Sequence, residues 1–198
     1  MSKEFWDARY SQTVYVYGTQ PNDYLKKFID SRTPGKIFLP GEGEGRNAVY
    51  AALKGWDVVA VDLSTEGKRK AENLARENKV SITYRAGNLL DFPYQEDEFD
   101  AVALIFLHLP PEIRLLIHKQ FIRSLKPGGF LLIEAFSKDQ LGRPTGGPPS
   151  IELLYDRFLL NRDFRLLKIL ELYHTNEQLN EGPFHSGEAA LVRLLAQK

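Results

Sequence analysis

Short apolar runs alternate with longer amphipathic segments over the first two thirds of the chain. The apolar runs cover residues 36–40, 57–61, 80–84, 99–106 and 130–136. Each run predicts a buried strand, because a short continuous apolar stretch suits a strand that is covered on both faces. Apolar residues recur at helical spacing in segments 46–54, 65–78 and 111–125, which predicts three helices between the strands.

This alternation predicts an α/β fold with a doubly wound, mostly parallel sheet. Strands that alternate with helices of this length form right-handed βαβ units, with helices on both faces of the sheet. The last third of the chain predicts a helix at 151–160 and two further strands at 164–174 and 188–196, which form a C-terminal antiparallel hairpin at the sheet edge. Since no linker or repeat interrupts the pattern, we expect a single domain over residues 1–198.

Two segments fall outside the alternation of strands and helices. Residues 1–32 hold two short helical patterns around the sequence TVYVYGTQPN, and we interpret them as an N-terminal helical lid. Residues 138–150, with the sequence KDQLGRPTGGPPS, form a long loop rich in glycine and proline. Such loops inside compact domains are usually functional or disordered, and we interpret this one as a mobile active-site loop.

The loop after the first predicted strand has glycine at every second position, in the order Gly41, Gly43 and Gly45. A parallel sheet binds ligands at such a loop, because backbone N–H groups and the dipole of the next helix converge there. Asp62 closes the second strand, where a carboxylate can accept hydrogen bonds from ribose hydroxyls. The pattern predicts a nucleoside site, although Arg46 stands where a dinucleotide fingerprint has its third glycine.

Composition narrows the classes of function. The chain has 198 residues and 43% hydrophobic content, which is enough for one full core. Its 26 basic and 26 acidic residues cancel, so nucleic acid and acidic membrane surfaces are not expected as partners. The absence of cysteine excludes disulfides and thiolate metal sites, and we expect no metal. The first residues lack a secretory signal and the longest apolar run is too short for a bilayer, so we expect a cytoplasmic protein.

Several segments, taken in order, resemble a known family. They are PGEGEGRNAVYAAL, VVAVDLS, YRAGNLLDF, DEFDAVALIFLHLP and LKPGGFLLIEAF. Together they resemble the class I, Rossmann-like methyltransferases that depend on S-adenosylmethionine. Within that class the chain is similar to the small bacterial enzymes related to tellurite-resistance and thiopurine methyltransferases, and both chain ends look like that subgroup's. The resemblance implies S-adenosylmethionine as the cofactor and a seven-stranded sheet whose sixth strand is parallel and whose seventh is antiparallel.

The resemblance also implies which residues bind the cofactor. The glycine loop lies under the methionine and ribose portions, and Asp62 holds the ribose hydroxyls. Leu63 lies against adenine, and Phe106 passes close to the sulfonium. The full set that the resemblance implies is Gly41, Glu42, Gly43, Gly45, Asp62, Leu63, Asn88, Leu89 and Phe106.

Two positions depart from the pattern of this family. Asn88 stands where the family usually has aspartate, although its amide oxygen can still accept a bond from the adenine amino group. Leu39 stands where an acidic residue commonly precedes the first glycine, which leaves the cofactor's ammonium group short of one carboxylate. We expect Glu42 or Glu44 to replace that contact in part.

Methyl transfer makes few demands on catalytic side chains. An in-line displacement at a carbon that a sulfonium activates needs chiefly alignment and exclusion of water. A soft sulfur, selenium or tellurium acceptor needs at most deprotonation, whereas a nitrogen or oxygen acceptor can require a general base. The candidate bases are His185, in the turn sequence PFHSG, and His108, just after the fourth strand. For each of them the alternative is a structural histidine that holds a turn.

Three further residues are candidates for the acceptor side of the site. They are Tyr17 and Asn22 in the N-terminal segment and Arg143 in the long loop. The tyrosines at positions 15, 17 and 24 favour packing over a lid, and a lone arginine in a polar loop is usually solvated. His118 is predicted to face solvent, on the polar side of the helix at 111–125.

We expect a monomer or weak dimer that methylates a small molecule. Two other functions stay open beside this one. A short-chain nicotinamide oxidoreductase shares a glycine loop and an acid like Asp62, and the chain contains that family's Tyr-x-x-x-Lys spacing at Tyr50 and Lys54. That pair lies in the helix directly after the glycine loop, which is the wrong place for catalysis beside a nicotinamide. A non-catalytic module that binds S-adenosylmethionine stays open because Leu39 replaces the common acid.

Overall fold

A computed structural model describes residues 2–198, and its strands form one mixed seven-stranded sheet with helices on both sides. The prediction of an α/β fold is therefore confirmed. By contacts the chain divides into two compact units. The first runs from the N-terminal helix to Phe92 and includes Glu181–Phe184, and the second contains Pro93–Asn180 and His185–Lys198. The single domain over residues 1–198, with its lid at 1–32, stays a prediction.

The first unit contains three parallel strands and four helices. Strand β2 lies between β1 and β3, and both of its neighbours run parallel to it. A short 3-10 helix at Leu89–Asp91 follows the third strand. The elements in chain order are α1 Lys3–Tyr10, α2 Asp23–Asp30, β1 Lys36–Pro40, α3 Arg46–Leu53, β2 Asp57–Asp62, α4 Thr65–Glu77 and β3 Thr83–Ala86.

Helix α4 shows how local sequence sets both of its ends. Ser64 caps the start, since its hydroxyl oxygen accepts a hydrogen bond of 2.9 Å from the backbone N–H of Gly67. At the other end, Lys79 adopts a φ of 58° and the N–H of Val80 donates to the carbonyl of Ala75. This is a Schellman motif, and it delays the next strand. The strand predicted at 80–84 therefore begins only at Thr83.

The second unit contains four strands and two helices. Strand β5 pairs in parallel with β4 and antiparallel with β7, which also pairs antiparallel with β6. The C-terminal hairpin is thus confirmed, with β6 parallel to β5 and β7 between them. Short 3-10 helices lie at Lys138–Gln140 and Ile151–Leu153. The elements are β4 Phe99–Ile105, α5 Pro111–Ser124, β5 Leu125–Phe136, α6 Arg157–Asp163, β6 Lys168–Asn180 and β7 Ser186–Gln197.

Two predictions about the last third of the chain are wrong in their bounds. The hairpin strands extend much closer to the turn than predicted, because pairing continues to the register partners Asn180 and Ser186. The single helix predicted at 151–160 is replaced by a 3-10 turn followed by α6. The carboxylate of Asp156 accepts a hydrogen bond of 2.7 Å from the N–H of Leu159, and this cap fixes the later start.

Helix α5 buries a different face from the one that its apolar pattern predicts. His118 is completely buried, whereas Leu116 on the predicted apolar stripe is 53% exposed. The prediction of an exposed His118 is therefore wrong. Its Nδ1 lies 3.0 Å from a carboxylate oxygen of Asp163, which supplies a partner for a polar ring inside the protein. Burial lowers the pKa of His118 in spite of that carboxylate.

The helices within residues 2–198 are short compared with a membrane span. None of them is both long enough and apolar enough to cross a bilayer.

Candidate cofactor site and acceptor-side residues

The glycine loop of the first unit connects β1 to α3. Gly43 and Gly45 have φ values of 60° and 89°, in the left-handed region that glycine adopts at little cost. A β-carbon at Gly43 would lie 2.6 Å from the hydroxyl of Tyr10, and one at Gly45 would lie 2.5 Å from the β-carbon of Ala71. The close packing of the protein on itself therefore requires both glycines, in addition to any ligand that approaches the loop.

Asp62 lies at the carboxyl end of β2, beside the glycine loop. One carboxylate oxygen accepts a hydrogen bond of 3.0 Å from the N–H of Gly43, and the other accepts one of 2.9 Å from the N–H of Ser64. Burial raises the pKa of Asp62 to about 6, although these backbone N–H groups oppose the shift. Because each carboxylate oxygen can accept a second bond, the residue retains capacity for a ribose hydroxyl.

Glu42 and Glu44 both have partners within the first unit. Glu42 accepts hydrogen bonds of 2.9 Å and 2.7 Å from the N–H groups of Asn47 and Ala48. It thereby caps α3, whose N-cap residue is a glycine without a side chain. Glu44 accepts a bond of 2.8 Å from the N–H of Val16 and forms a buried ion pair with Lys70. A role for either glutamate in holding the cofactor's ammonium group stays a prediction.

The residues predicted to contact adenine follow β2 and β3. Leu63 is half-buried and Leu89 is buried, whereas Asn88 is exposed. The side-chain oxygen of Asn88 accepts a hydrogen bond of 3.0 Å from the N–H of Leu90, which caps the 3-10 helix. The N–H of Gly87 donates to the carbonyl of Asp62, so the ends of these two strands are held together. Contact with adenine stays a prediction.

Tyr17 and Asn22 both make specific contacts in the first unit. The hydroxyl of Tyr17 accepts a hydrogen bond of 3.0 Å from Arg9. Asn22 is buried and caps α2 by accepting a bond of 3.1 Å from the N–H of Leu25. Its own N–H donates to the side-chain oxygen of Asn47 at 2.9 Å. These contacts fit packing and capping, and a role on the acceptor side stays a prediction.

Arg46 and Glu181 are functional candidates that sequence reasoning missed. Arg46 is the first residue of α3, and its Nη2 donates a hydrogen bond of 2.9 Å to a carboxylate oxygen of Glu181. The side-chain amide of Asn22 donates to the other oxygen of Glu181, also at 2.9 Å. The available signal was the arginine itself, which directly follows the last glycine of the loop.

Three rings cluster in the second unit. Phe106 lies 4.5 Å from His185 and 4.8 Å from Phe136 between ring centroids, and Phe136 lies 5.2 Å from His185. Phe106 has a φ of 53°, an uncommon conformation for a bulky residue, and its N–H donates to the carbonyl of Glu134 at 2.8 Å. Strain of this kind is concentrated at functional sites. The geometry thus brings two of the predicted residues, Phe106 and His185, together.

His108 is held by backbone groups of the second unit. Its Nδ1 lies 2.8 Å from the carbonyl oxygen of Leu153, and its Nε2 lies 3.4 Å from the N–H of Phe136. An imidazole with its proton on Nδ1 satisfies both contacts. Burial lowers the pKa of His108 to about 4, so the ring is neutral at pH 7. These contacts fit the structural alternative, and a catalytic role for His108 stays a prediction.

The long loop at 138–150 is attached to β7 by side-chain hydrogen bonds. Gln140 is buried, donates to the hydroxyl of Thr145 at 2.7 Å and accepts from the N–H of Ala190 at 2.8 Å. Arg143 donates to Asn176 at 3.1 Å and to Glu188 at 3.4 Å. Mobility of the loop and binding of an anionic acceptor by Arg143 stay predictions.

The residues that favoured an oxidoreductase have a different environment. The hydroxyl of Tyr50 donates to Asp30 at 2.6 Å, and the ammonium group of Lys54 lies 3.0 Å from the same carboxylate oxygen. They form an exposed ion-pair network with α2, which disfavours catalysis at this pair. Within residues 2–198, no group of three or more histidine, aspartate or glutamate side chains could hold a metal ion.

Comparisons with known proteins agree with this geometry. The model of the methyltransferase domain family matches residues 39–129. A demethylmenaquinone methyltransferase from Renibacterium salmoninarum is 31% identical over 129 residues, which cover 64% of this chain and 49% of that relative. The structure of TehB from Haemophilus influenzae has a TM-score of 0.75 at 18% identity, and the match covers 99% of this chain and 66% of TehB.

A SAM-dependent methyltransferase from Methanosarcina mazei has a TM-score of 0.71 at 18% identity, with 90% of this chain and 98% of that chain covered. At this identity a structural likeness shows the fold alone. The chain spans between 37% and 62% of the length of the first curated relatives that it matches. The predicted resemblance and the predicted cofactor are both confirmed.

Proposed function

We propose that this chain, which belongs by sequence and fold with the class I methyltransferases that depend on S-adenosylmethionine, transfers a methyl group to a small-molecule acceptor. The observation that carries this proposal is the buried carboxylate of Asp62 beside the glycine loop. Both of its oxygens accept backbone N–H bonds, and the carboxylate, which can accept about four hydrogen bonds, keeps capacity for a ribose hydroxyl. S-adenosylmethionine, when bound, supplies a methyl group that its sulfonium activates.

The residues of the chain have separate roles in this proposal. The glycine loop and Asp62 bind and orient the nucleoside, and Leu63 with Leu89 covers the adenine. Phe106 excludes water near the reacting carbon, because its ring belongs to an aromatic cluster rather than a polar surface. Alignment and dry surroundings are the main requirements of an in-line methyl transfer.

The acceptor that these side chains favour is a soft sulfur, selenium or tellurium centre. His108 has both ring nitrogens occupied by backbone groups, so it is poorly placed to take a proton from a substrate. His185 lies against two phenylalanine rings, and aromatic surfaces suit a soft, polarizable acceptor centre. A soft acceptor requires the least help from a base. A small nitrogen or oxygen nucleophile is the second candidate, with His185 as its base.

The experiment is an acceptor panel with purified protein. Small thiols, selenite, tellurite and aryl amines are each incubated with S-adenosylmethionine, and formation of S-adenosylhomocysteine is measured. Turnover with a thiol, selenite or tellurite supports the first candidate, and turnover with amines alone supports the second. Absence of turnover with every acceptor, in a protein that binds S-adenosylhomocysteine, would favour the non-catalytic binding module instead.

A thermal shift assay separates the oxidoreductase from the methyltransferase. S-adenosylhomocysteine should raise the melting temperature, since a ligand that binds only the folded state stabilises it. NAD and NADP should leave it unchanged. The reverse result would overturn the proposal. Nucleic acid is not expected as a substrate, because the 26 acidic and 26 basic residues leave no net charge. We propose that the protein acts as a monomer or weak dimer.

A further inference from the structure

The N-terminal segment is hydrogen-bonded to the glycine loop and to the first turn of α3. We name residues 15–22 the strap. The N–H groups of Val16 and Tyr17 donate to Glu44 at 2.8 Å and 3.4 Å, and the N–H of Asn22 donates to Asn47 at 2.9 Å. The strap thus contacts both the loop and the first turn of α3. Residues 42–46 are buried, so a ligand cannot reach the loop from the side of the strap unless the strap separates from it.

The turn Glu181–Phe184, which we name the hairpin turn, packs on the strap. A β-carbon at Gly182 would lie 2.6 Å from the N–H nitrogen of Gly18 and 2.7 Å from the carbonyl oxygen of Val16. Backbone therefore rests directly on backbone, without room for a side chain. The ring of Phe184 lies 6.3 Å from that of Tyr17, and the Arg9 guanidinium lies 4.6 Å above the Phe184 ring. The hairpin turn thus packs on residues 16–18 of the strap.

A buried ion pair holds the hairpin turn in this position. Arg46 and Glu181 have side chains that are only 8% and 12% exposed, and Asn22 donates to the second oxygen of Glu181. Asn22 of the strap and Arg46 of α3 therefore both bind the carboxylate of Glu181 on the hairpin turn. Charge-assisted hydrogen bonds of this kind are stronger than neutral ones when water is largely excluded.

The contact between the hairpin turn and the strap also includes an unfavourable contribution to the free energy. Nη1 of Arg46 is buried and has no hydrogen-bond partner within residues 2–198. A buried donor without a partner loses its hydration without compensation. Opening the strap and the hairpin turn would return this group to water, which offsets part of the lost ion pair. Separation of the hairpin turn from the strap would thus cost less free energy than the number of contacts suggests.

We propose that Arg46 and Glu181 are positioning residues that latch the hairpin turn over the strap and thereby slow release of the cofactor. Their effect is indirect, through the strap that lies against the glycine loop. This inference rests on the proposed function, because it takes the glycine loop as the cofactor site. It predicts an effect on the rates of binding and release that exceeds the effect on stability.

The first test removes the charge of Glu181. Glu181→Gln keeps an oxygen for Asn22 and loses the ion pair with Arg46. The dissociation rate of S-adenosylhomocysteine is measured by stopped-flow displacement, and we expect an increase of about tenfold, equivalent to about 1.4 kcal/mol. Glu72→Gln is the control, because Glu72 belongs to an exposed ion pair with Lys68 on α4.

The second test opens the contact between the hairpin turn and the strap without changing a charge. Gly182→Ala introduces a β-carbon against Gly18 and Val16, and we expect faster dissociation here too. Gly128→Ala is the matched control. Gly128 has a φ of 82°, close to the 84° of Gly182, but its β-carbon would meet nothing within 4 Å. The control therefore carries the same backbone strain without the collision.

The results separate failure of the latch from failure of the proposed function. Absence of S-adenosylhomocysteine binding by the natural protein would refute the cofactor site itself. Normal binding with dissociation rates within about twofold of the natural protein in both variants would refute the latch alone. If either variant loses stability, a third variant, Arg46→Lys, tests the latch instead. Hydrogen exchange is then measured at the N–H groups of Val16 and Tyr17. Faster exchange at these two amides supports the latch, and unchanged exchange contradicts it.

Discussion

Glu42 should make the stability of this protein depend on pH in a direction opposite to most carboxylates. It is buried in the glycine loop and accepts hydrogen bonds from the N–H groups of Asn47 and Ala48. Burial raises its pKa from 4.5 to about 7, although these N–H groups and Arg46 oppose the shift. Below pH 7 the folded protein therefore holds a proton at Glu42, whereas the unfolded chain binds this proton only below about pH 4.5.

The size of the effect follows from the shift. One pKa unit corresponds to about 1.4 kcal/mol, so the difference between 4.5 and about 7 gives about 3 kcal/mol. Since the folded pKa is raised, this contribution to stability is fully present below pH 4.5 and is lost as the pH rises through 7. Asp62 acts in the same direction at lower pH, because burial raises its pKa from 3.8 to about 6.

The substitution Glu42→Gln removes the titration and keeps an oxygen for the cap of α3. The free energy of unfolding is measured with urea at pH 5 and pH 8 for the natural protein and the variant. Stability of the natural protein should fall between these two values by about 2 to 3 kcal/mol more than stability of the variant. Glu72→Gln, at an exposed position, is the control and should follow the natural protein. An unchanged pH dependence in Glu42→Gln would show that Glu42 titrates normally in the folded state.

Three further substitutions test the site and the fold. Asp62→Ala should weaken binding of S-adenosylhomocysteine by about 1 to 3 kcal/mol in calorimetry, and unchanged affinity in a folded variant would remove Asp62 from the ribose site. His185→Ala should lower turnover of a nitrogen or oxygen acceptor by roughly 10²-fold with cofactor affinity unchanged, whereas the exposed His174→Ala should have no effect. A smaller loss together with a lower melting temperature would instead indicate a structural His185. Asp163→Ala should lower the free energy of unfolding by about 1 to 3 kcal/mol, because it leaves the buried ring of His118 without its hydrogen-bond acceptor; an unchanged free energy of unfolding would contradict that pairing.

The local pattern of residues determined most elements of this fold. Strands β1 and β2 were predicted with nearly their observed bounds, because a continuous apolar run needs no remote partner to be recognised. The cap at Ser64 is likewise local, and the alternate glycines of the loop are visible in the sequence, although their close packing against Tyr10 and Ala71 is tertiary. The same features sufficed to predict a nucleoside site at Asp62.

Pairing between segments distant in sequence decided the rest. The hairpin strands extend to Asn180 and Ser186 because each residue finds a partner across the turn, and no single segment contains that information. His118 is buried because Asp163, which is 45 residues away, supplies its hydrogen bond. The helical pattern alone predicts that His118 lies on the polar face. Its burial becomes favourable only because the folded protein supplies Asp163 as a hydrogen-bond partner.

The polar residues of the site show the same division. Glu44 was available as a carboxylate in the sequence, but its partners Val16 and Lys70 are brought to it only by folding. Glu181 was one of many charged residues until its two oxygens met Arg46 and Asn22. Apolar burial is non-directional and follows from composition and spacing, whereas a hydrogen bond requires one donor and one acceptor at a defined distance and angle. The sequence by itself therefore determined where the glycine loop lies, and the tertiary structure decided which charges surround it.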